Sequence, residues 1–317
     1  MARSDLIIIA TLFSIIIPLI LLVWVLKMGF RSKGELLLKS LGAYLALIAL
    51  YQVNNWAFYS YYLAIWWLML PVLFVVYKFS MKTEILWIAK PDWPGWIGIA
   101  ASLVLVAFSI PVIFQSQAAK TIPENAVEME FPLKGWRYYI AHGGSRPLVN
   151  AHMNVQDNKP YRGQTWALDI LQMGWLGNRA RGVYPETLSR YHIFNQPVYA
   201  PCSGEVTATE NELTDLIPPE ADRENLPGNY VQIRCEPEVY VILAHLKKHS
   251  VLVETGDIVE TGEPLGKVGN SGNTSEPHLH IHAQSGAGGE SLLNADPLPM
   301  IFTNFGFPVR NDIVRNR

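Results

Sequence analysis

Pro277-His278-Leu279-His280-Ile281-His282 is the stretch on which the reading of this chain turns. Apolar residues alternate with histidines, which is the period of a β-strand, where successive side chains face opposite sides. Leu279 and Ile281 therefore enter a core, while His278, His280 and His282 share the other face. Imidazoles crowded on one face repel one another when protonated, and the neutral ring is the commonest metal ligand among side chains. A His-X-His pair on a strand can set one ring on a metal and its neighbour beside the metal-bound water. His282 reads either as a partner supporting a ligand ring or as an ordinary strand residue, with the second preferred.

A zinc centre that does chemistry keeps three protein ligands and one open position. The rest of such a set needs another histidine and a carboxylate. Asp169 stands in the strand-like Thr165-Trp166-Ala167-Leu168-Asp169-Ile170, and an acid there is costly to bury unless it is paired or binds metal. His245 closes the apolar run Ile242-Leu243-Ala244-His245, and His152 lies upstream in Asn150-Ala151-His152. His192 and His249 read as surface histidines. The two cysteines, Cys202 and Cys235, are too few for a Cys-ligated site; they are either bridged or separate buried thiols.

Around these motifs run short apolar segments divided by Gly, Pro and Asn, such as Tyr230-Val231-Gln232-Ile233-Arg234 and Val239-Tyr240-Val241-Ile242-Leu243. Helical periodicity is absent here except for a hint over residues 185–191. The expected fold over residues 128–307 is an antiparallel, mainly β domain with one large sheet and a smaller barrel-sandwich-like layer. Residues 115–127 read as a linker and 308–317 as a tail. A polar insertion at 211–229 is either a lid over a site or a mobile surface loop.

The first 114 residues differ in kind. Half of the whole chain is hydrophobic, its mean hydropathy is +0.15, and the excess sits in this part. Runs at 6–26, 36–53, 59–77 and 96–114 are each long enough to cross a ~30 Å hydrocarbon core as a helix. Lys39, in the first turn of the second run, is expected to snorkel to the interface. Lys27, Arg31 and Lys33 follow the first run, and Lys78, Lys82 and Lys90 follow the third; the loop at 52–55 has no charge. Positive loops stay in the cytoplasm, so both chain ends and the β domain are expected outside. That places the protein as a multi-pass protein of the bacterial inner, or cytoplasmic, membrane, with its C-terminal domain in the periplasm or cell exterior. The net charge of −2 and the absence of an arginine-rich patch argue against nucleic-acid binding.

From about Ala141 to Phe302 the sequence resembles the lysostaphin/LytM-type zinc endopeptidases, which cut cell-wall peptides. The match is carried, in the family's order, by Asn150-Ala151-His152 with Trp166-Ala167-Leu168-Asp169-Ile170, by Pro197-Val198-Tyr199-Ala200-Pro201 through Gly204-Glu205-Val206, by Ala244-His245-Leu246, and by Gly256-Asp257 through Leu265-Gly266-Lys267-Val268-Gly269 to Pro277-His278-Leu279-His280. The resemblance implies His152, Asp169 and His280 as ligands of Zn2+, with His245 and His278 as catalytic histidines beside the water. Many members carry the first ligand four residues before the aspartate; here that position is Thr165. The sequence fits instead a subgroup with an Asn-X-His block, a variable loop and then the Asp strand, with His142 as the rival to His152.

The resemblance further implies a peptidase acting on peptidoglycan peptides; it does not cover the four helices, which their apolar runs place in the lipid bilayer and which are expected to bind a membrane partner protein or to position the domain. The alternative is an inactive relative that binds cell wall or activates a partner enzyme. A serine hydrolase is disfavoured because Gly269-Asn270-Ser271-Gly272-Asn273 lacks the spacing of a nucleophile elbow. A transporter is disfavoured because the apolar runs carry no row of charges.

Overall fold

The computed structural model describes residues 2–81, 84–135, 137–157, 159–287 and 292–316; Lys82, one of the basic-loop lysines, lies outside them. Helix α1 (Arg3–Thr11) passes through a π turn (Leu12–Ile16) into α2 (Ile17–Lys27), followed by α3 (Lys33–Val53), α4 (Tyr61–Met81) and α5 (Trp93–Ala118). By length and composition, Arg3–Lys27, Lys33–Val53, Tyr61–Met81 and Trp93–Ala118 are each apolar enough to cross a membrane.

Helices α3 and α5 pack closely because Gly42 leaves room. The Ser102 hydroxyl accepts from the Gly42 N–H at 2.9 Å and donates to the Leu38 carbonyl at 2.6 Å. A Cβ on Gly42 would stand 2.4 Å from the Ser102 carbonyl oxygen, so a larger residue would force the helices apart. Lys39 does not snorkel. It is buried, and its Nζ donates to Glu35 Oε1 at 2.5 Å and to the Gly29 carbonyl at 3.0 Å. Gly98 makes this burial fit, since a Cβ there would lie 2.6 Å from Lys39 Cε. Large apolar side chains such as Ile20, Trp66, Val76 and Phe108 point outward.

The two basic loops meet at one end of the helices, where Arg31 pairs with Asp92 at 3.1 Å and the Lys33 N–H bonds the Leu86 carbonyl at 3.0 Å. The other end meets the β domain. There Arg3 donates to the Tyr184 carbonyl at 2.9 Å, Arg310 to the Val53 carbonyl at 2.8 Å, and the Ser145 N–H to the Ala119 carbonyl at 2.9 Å.

Strands β1 (Val127–Met129) to β13 (Ile313–Arg315) form one large antiparallel sheet and two short pairs. The large sheet runs β13, β2 (Arg137–His142), β3 (Leu168–Gln172), β10 (Leu279–Ser285), β7 (Val239–Leu246), β6 (Asn229–Glu236), β5 (Gly204–Glu210), β8 (Ile258–Val259), with β11 (Asp296–Leu298) beside β10. This order is an open path, and among the described residues neither the large sheet nor the expected barrel-sandwich-like layer closes into a barrel. The second layer is the pair β4 (Pro197–Tyr199) and β9 (Pro264–Lys267), whose Val198 and Leu265 join the core with Ile170, Leu243 and Ile281. Burying each such side chain stabilises the fold by about 2 kcal/mol.

Three expectations shift. α5 runs on to Ala118, into the segment expected as a linker. β13 falls within the expected tail and pairs with β2 through Val314 and Tyr138. Over 185–191 there is only a 3-10 turn, Leu188–Arg190. Cys202 and Cys235 form a disulfide with their Cα atoms 5.7 Å apart, tying the loop before β5 to the end of β6.

Candidate metal centre

The ends of neighbouring strands build the site. His280 of β10 lies directly opposite Asp169 of β3 on one side and Ala244 of β7 on the other. Leu279, Ile281, Leu168 and Ile170 fill the core behind them, so the alternation turns His280 and Asp169 to the opposite face. His245 follows Ala244 with a positive φ of 61°, a conformation costly for a residue with a Cβ. Its N–H bonds the Pro227 carbonyl at 2.9 Å and its own carbonyl accepts from Gly269 at 3.0 Å, which holds the backbone there.

His152 comes from a 3-10 helix, Ala151–Val155. The buried Asn150 side chain anchors this turn: its oxygen accepts from the His152 N–H at 3.2 Å, and its amide donates to the Gly144 and Ala167 carbonyls at 3.2 and 3.1 Å. The turn is thereby fastened to the chain entering β3. The Asn-X-His block thus has a physical basis.

Asp169 is faced by imidazoles. His152 Nε2 is 3.1 Å from Oδ2, and His280 Nδ1 and His278 Nε2 are 3.1 and 3.4 Å from Oδ1. Ligand atoms of His152, Asp169 and His280 all lie within 4.8 Å of one another, as do those of His245, His278 and His280. The expected residues therefore converge as two overlapping triads sharing His280. His152 Nε2 is buried without a hydrogen bond although the carboxylate is beside it. Donor atoms on a tetrahedral zinc at ~2.05 Å would sit about 3.3 Å apart, close to the 3.1 Å spacings seen here. The His152–Asp169–His280 donor set fits a small divalent cation, with the carboxylate offsetting part of its charge.

His245 and His278 are oriented alike. His245 Nδ1 meets the Ser271 carbonyl at 2.8 Å, and His278 Nδ1 meets the Glu276 carbonyl at 2.9 Å. Each Nδ1 is thus a donor, leaving Nε2 to face the cleft. The rings are 4.9 Å apart between centroids. His142, the rival ligand, is in neither triad; its Nδ1 accepts from the Ala151 N–H at 3.1 Å and from Arg310 at 3.0 Å. His282 is more than a strand residue. It is fully buried with Nδ1 3.1 Å from His280 Nε2, so it holds the far side of that ring.

Burial lowers the pKa of His280 to about 4 against the opposing Asp169 hydrogen bond, and it drives His245 and His282 well below the usual range. For His142 burial prevails over Asp169, and Arg310 adds to it, giving about 3. Burial also pulls His278 down, but Asp169 and the Glu276 carbonyl outweigh it and the net shift is upward. Burial would raise Asp169; the charges of His152 and His278 instead hold it well below the usual carboxylate range. Neutral His245 and His280 have free lone pairs at neutral pH, as ligation and proton transfer need.

Beside these residues is a cavity of about 320 Å³, walled by Leu226, Pro227, Gln164, Asn273, Ser275 and Leu293. The insertion at 211–229 forms one wall and is stitched down: Asp215 accepts from the Asn270 and Lys248 N–H groups at 2.6 and 3.2 Å. His192 and His249 lie away from this cavity.

An open antiparallel sheet with a His/Asp cluster at the ends of its central strands defines a β domain built around a polar cleft of metal-ligand type. Residues 191–292 match the model of peptidase family M23. Solved structures similar to the chain include a zinc-containing peptidase from Vibrio cholerae, 18% identical over 37% of this chain and 46% of its own, with a TM-score of 0.23. Lysostaphin from Staphylococcus simulans is 18% identical over 52% and 47%, with a TM-score of 0.27. Pseudoalterin, an M23 metalloprotease from the deep sea, is 16% identical over 53% and 79%, with a TM-score of 0.31. The chain thus spans about half the length of the first two, 46% and 47%. No curated protein matches it.

Proposed function

We propose that the chain is a membrane-embedded zinc metalloendopeptidase whose β domain faces away from the cytoplasm and hydrolyses peptide bonds in peptidoglycan. The observation that carries this reading is Asp169: a mostly buried carboxylate with three imidazoles within 3.4 Å. His152, Asp169 and His280 would hold the metal. A zinc ion there would polarise a carbonyl and lower the pKa of a bound water. His245 and His278 then divide the proton work: one Nε2 takes a proton from the water, and the other donates to the oxygen that becomes negative. Their carbonyl-bound Nδ1 atoms hold both rings in the required tautomer. His282 fixes the ring of His280 from behind.

Among the described residues the cavity lining has no charged side chain besides Asp169 and the histidines, which suits an extended, uncharged peptide segment. Outward-facing apolar side chains on the four helices suit a hydrocarbon surround. The basic loops, gathered at the end away from the β domain, favour a cytoplasmic position for that end. A Cys202–Cys235 bridge suits an oxidising compartment for the domain.

The test is metal analysis of the full chain together with release of soluble peptides from purified cell walls. One zinc per chain and release abolished by a chelator are expected. A metal-free chain, or release unaffected by His278→Ala, would overturn the reading.

A further inference from the structure

The turn between α3 and α4 reaches the candidate active site through two separate arms. Trp56, Ala57 and Phe58 form a 3-10 turn buried against the β domain. The Ala57 carbonyl accepts from the Arg179 N–H at 2.9 Å, and the Phe58 carbonyl accepts from Arg179 Nη1 at 2.8 Å. The guanidinium lies 3.8 Å from the centre of the Phe58 ring, and Arg179 is 1% exposed. Its Nε then donates to both carboxylate oxygens of Glu276 at 2.7 Å. The second arm starts from the same ring: Phe58 stacks on Tyr184 with centroids 5.8 Å apart, and the Tyr184 hydroxyl donates to the Ser275 carbonyl at 2.6 Å.

Both arms end on the segment that orients His278. The Glu276 carbonyl accepts from His278 Nδ1 at 2.9 Å and from the Thr274 hydroxyl at 2.8 Å. Ser275 and Glu276, the residues that set the His278 ring, are thus held by Tyr184 and Arg179, both of which are braced in turn by Phe58 of the helical region. Such a fully buried guanidinium is costly unless its partners stay in place, so the turn and the segment are held together as one unit.

We infer that Phe58, Arg179 and Tyr184 are positioning residues for His278, so that the helical region is a working part of the site rather than a tether. This deepens, and rests on, the peptidase reading. None of the three lines the cavity beside the imidazoles.

The experiment uses the full chain in nanodiscs, with Phe58→Ala, Arg179→Met and Arg179→Lys. Three quantities are read: kcat and KM on a peptidoglycan-derived peptide, zinc content, and hydrogen–deuterium exchange over residues 270–280. Phe58→Ala and Arg179→Met are expected to lower kcat by roughly tenfold, since small misplacements of a catalytic group carry such losses. KM is expected to stay within about twofold, zinc content to be unchanged, and the segment to exchange faster. Arg179→Lys keeps the charge beside Glu276 and is expected to recover part of kcat. Wild-type kcat and unchanged exchange in both Phe58→Ala and Arg179→Met would overturn the inference and leave the peptidase reading intact. A wild-type chain that cuts nothing would sink the peptidase reading, and exchange over 270–280 alone would then decide: faster supports the clamp, unchanged overturns it. If Phe58→Ala fails to fold, Phe58→Leu, which keeps bulk and removes the ring, gives the same readings.

Discussion

Glu35 and Asp169 are both buried carboxylates, with side chains 2% and 14% exposed, and they are neutralised in opposite ways. Glu35 has its own cation one helical turn away: Lys39 stands at 2.5 Å, and the Arg31 N–H and the Ser32 cap hold the same turn. Among the described residues Asp169 has imidazoles alone within 3.4 Å, of which burial drives His280 towards neutrality while Asp169 itself shifts His278 upward. A carboxylate with a fixed cation closes its own account of charge and has nothing to offer a ligand. One faced by imidazoles, with no fixed cation beside it, is short of permanent positive charge, which a divalent ion supplies. The comparison separates a structural ion pair from a candidate functional centre without reference to sequence motifs.

The sharpest way to break this contrast is to remove the shared ligand. His280→Ala is expected to abolish zinc binding and to lower peptide release on the order of a thousandfold, measured by metal analysis and product release. Zinc retained at wild-type stoichiometry would assign the metal elsewhere. On the helical side, Lys39→Met leaves Glu35 buried without its partner. Breaking a buried pair costs about 3–5 kcal/mol, so the helices should unfold at markedly lower temperature in detergent while zinc affinity in the folded protein is unchanged. Equal loss of zinc in this variant would erase the distinction.

Asn150→Ala tests whether the anchored turn matters to the metal. It removes the tie between His152 and the chain entering β3, and supporting contacts of this kind are worth about 10–100-fold in metal affinity. Competition with a chromophoric chelator measures it.

The smallest effect concerns acid. His142 has a folded-state pKa of about 3 against an ordinary 6.5, lowered by burial. The unfolded chain therefore takes up the proton first as pH falls, and stability is lost from about 6.5 down towards 3. Between pH 7 and 5 this one group accounts for about 2 kcal/mol. Thermal unfolding of the metal-free chain should depend on pH less steeply by that amount in His142→Asn, whose side-chain oxygen can still accept the Ala151 N–H. Identical slopes would remove His142 from the acid response.

Much of the site was legible because its members sit in locally regular chain. His280 and Asp169 stand in strands whose period fixes the face of every side chain, His278 directly precedes the first of these, and His245 lies at the end of another. His152 was readable only through resemblance, since its turn is held by Asn150 across a loop. Arg179 was not readable at all. It lies in the polar run Asn178-Arg179-Ala180-Arg181, where nothing marks one arginine as buried. His282 stayed between two readings because alternation says which face a ring takes, not which neighbour it touches.

The sequence by itself determined four apolar helices, alternating strands and the shared face of the imidazoles, because each depends on spacing within a few residues. Only the tertiary structure decided the open strand order, the bridging of Cys202 to Cys235, the burial of Lys39 and the clamp from Phe58 to Glu276. Those depend on which distant segments are neighbours, and that is settled by packing over the whole chain rather than by any local period.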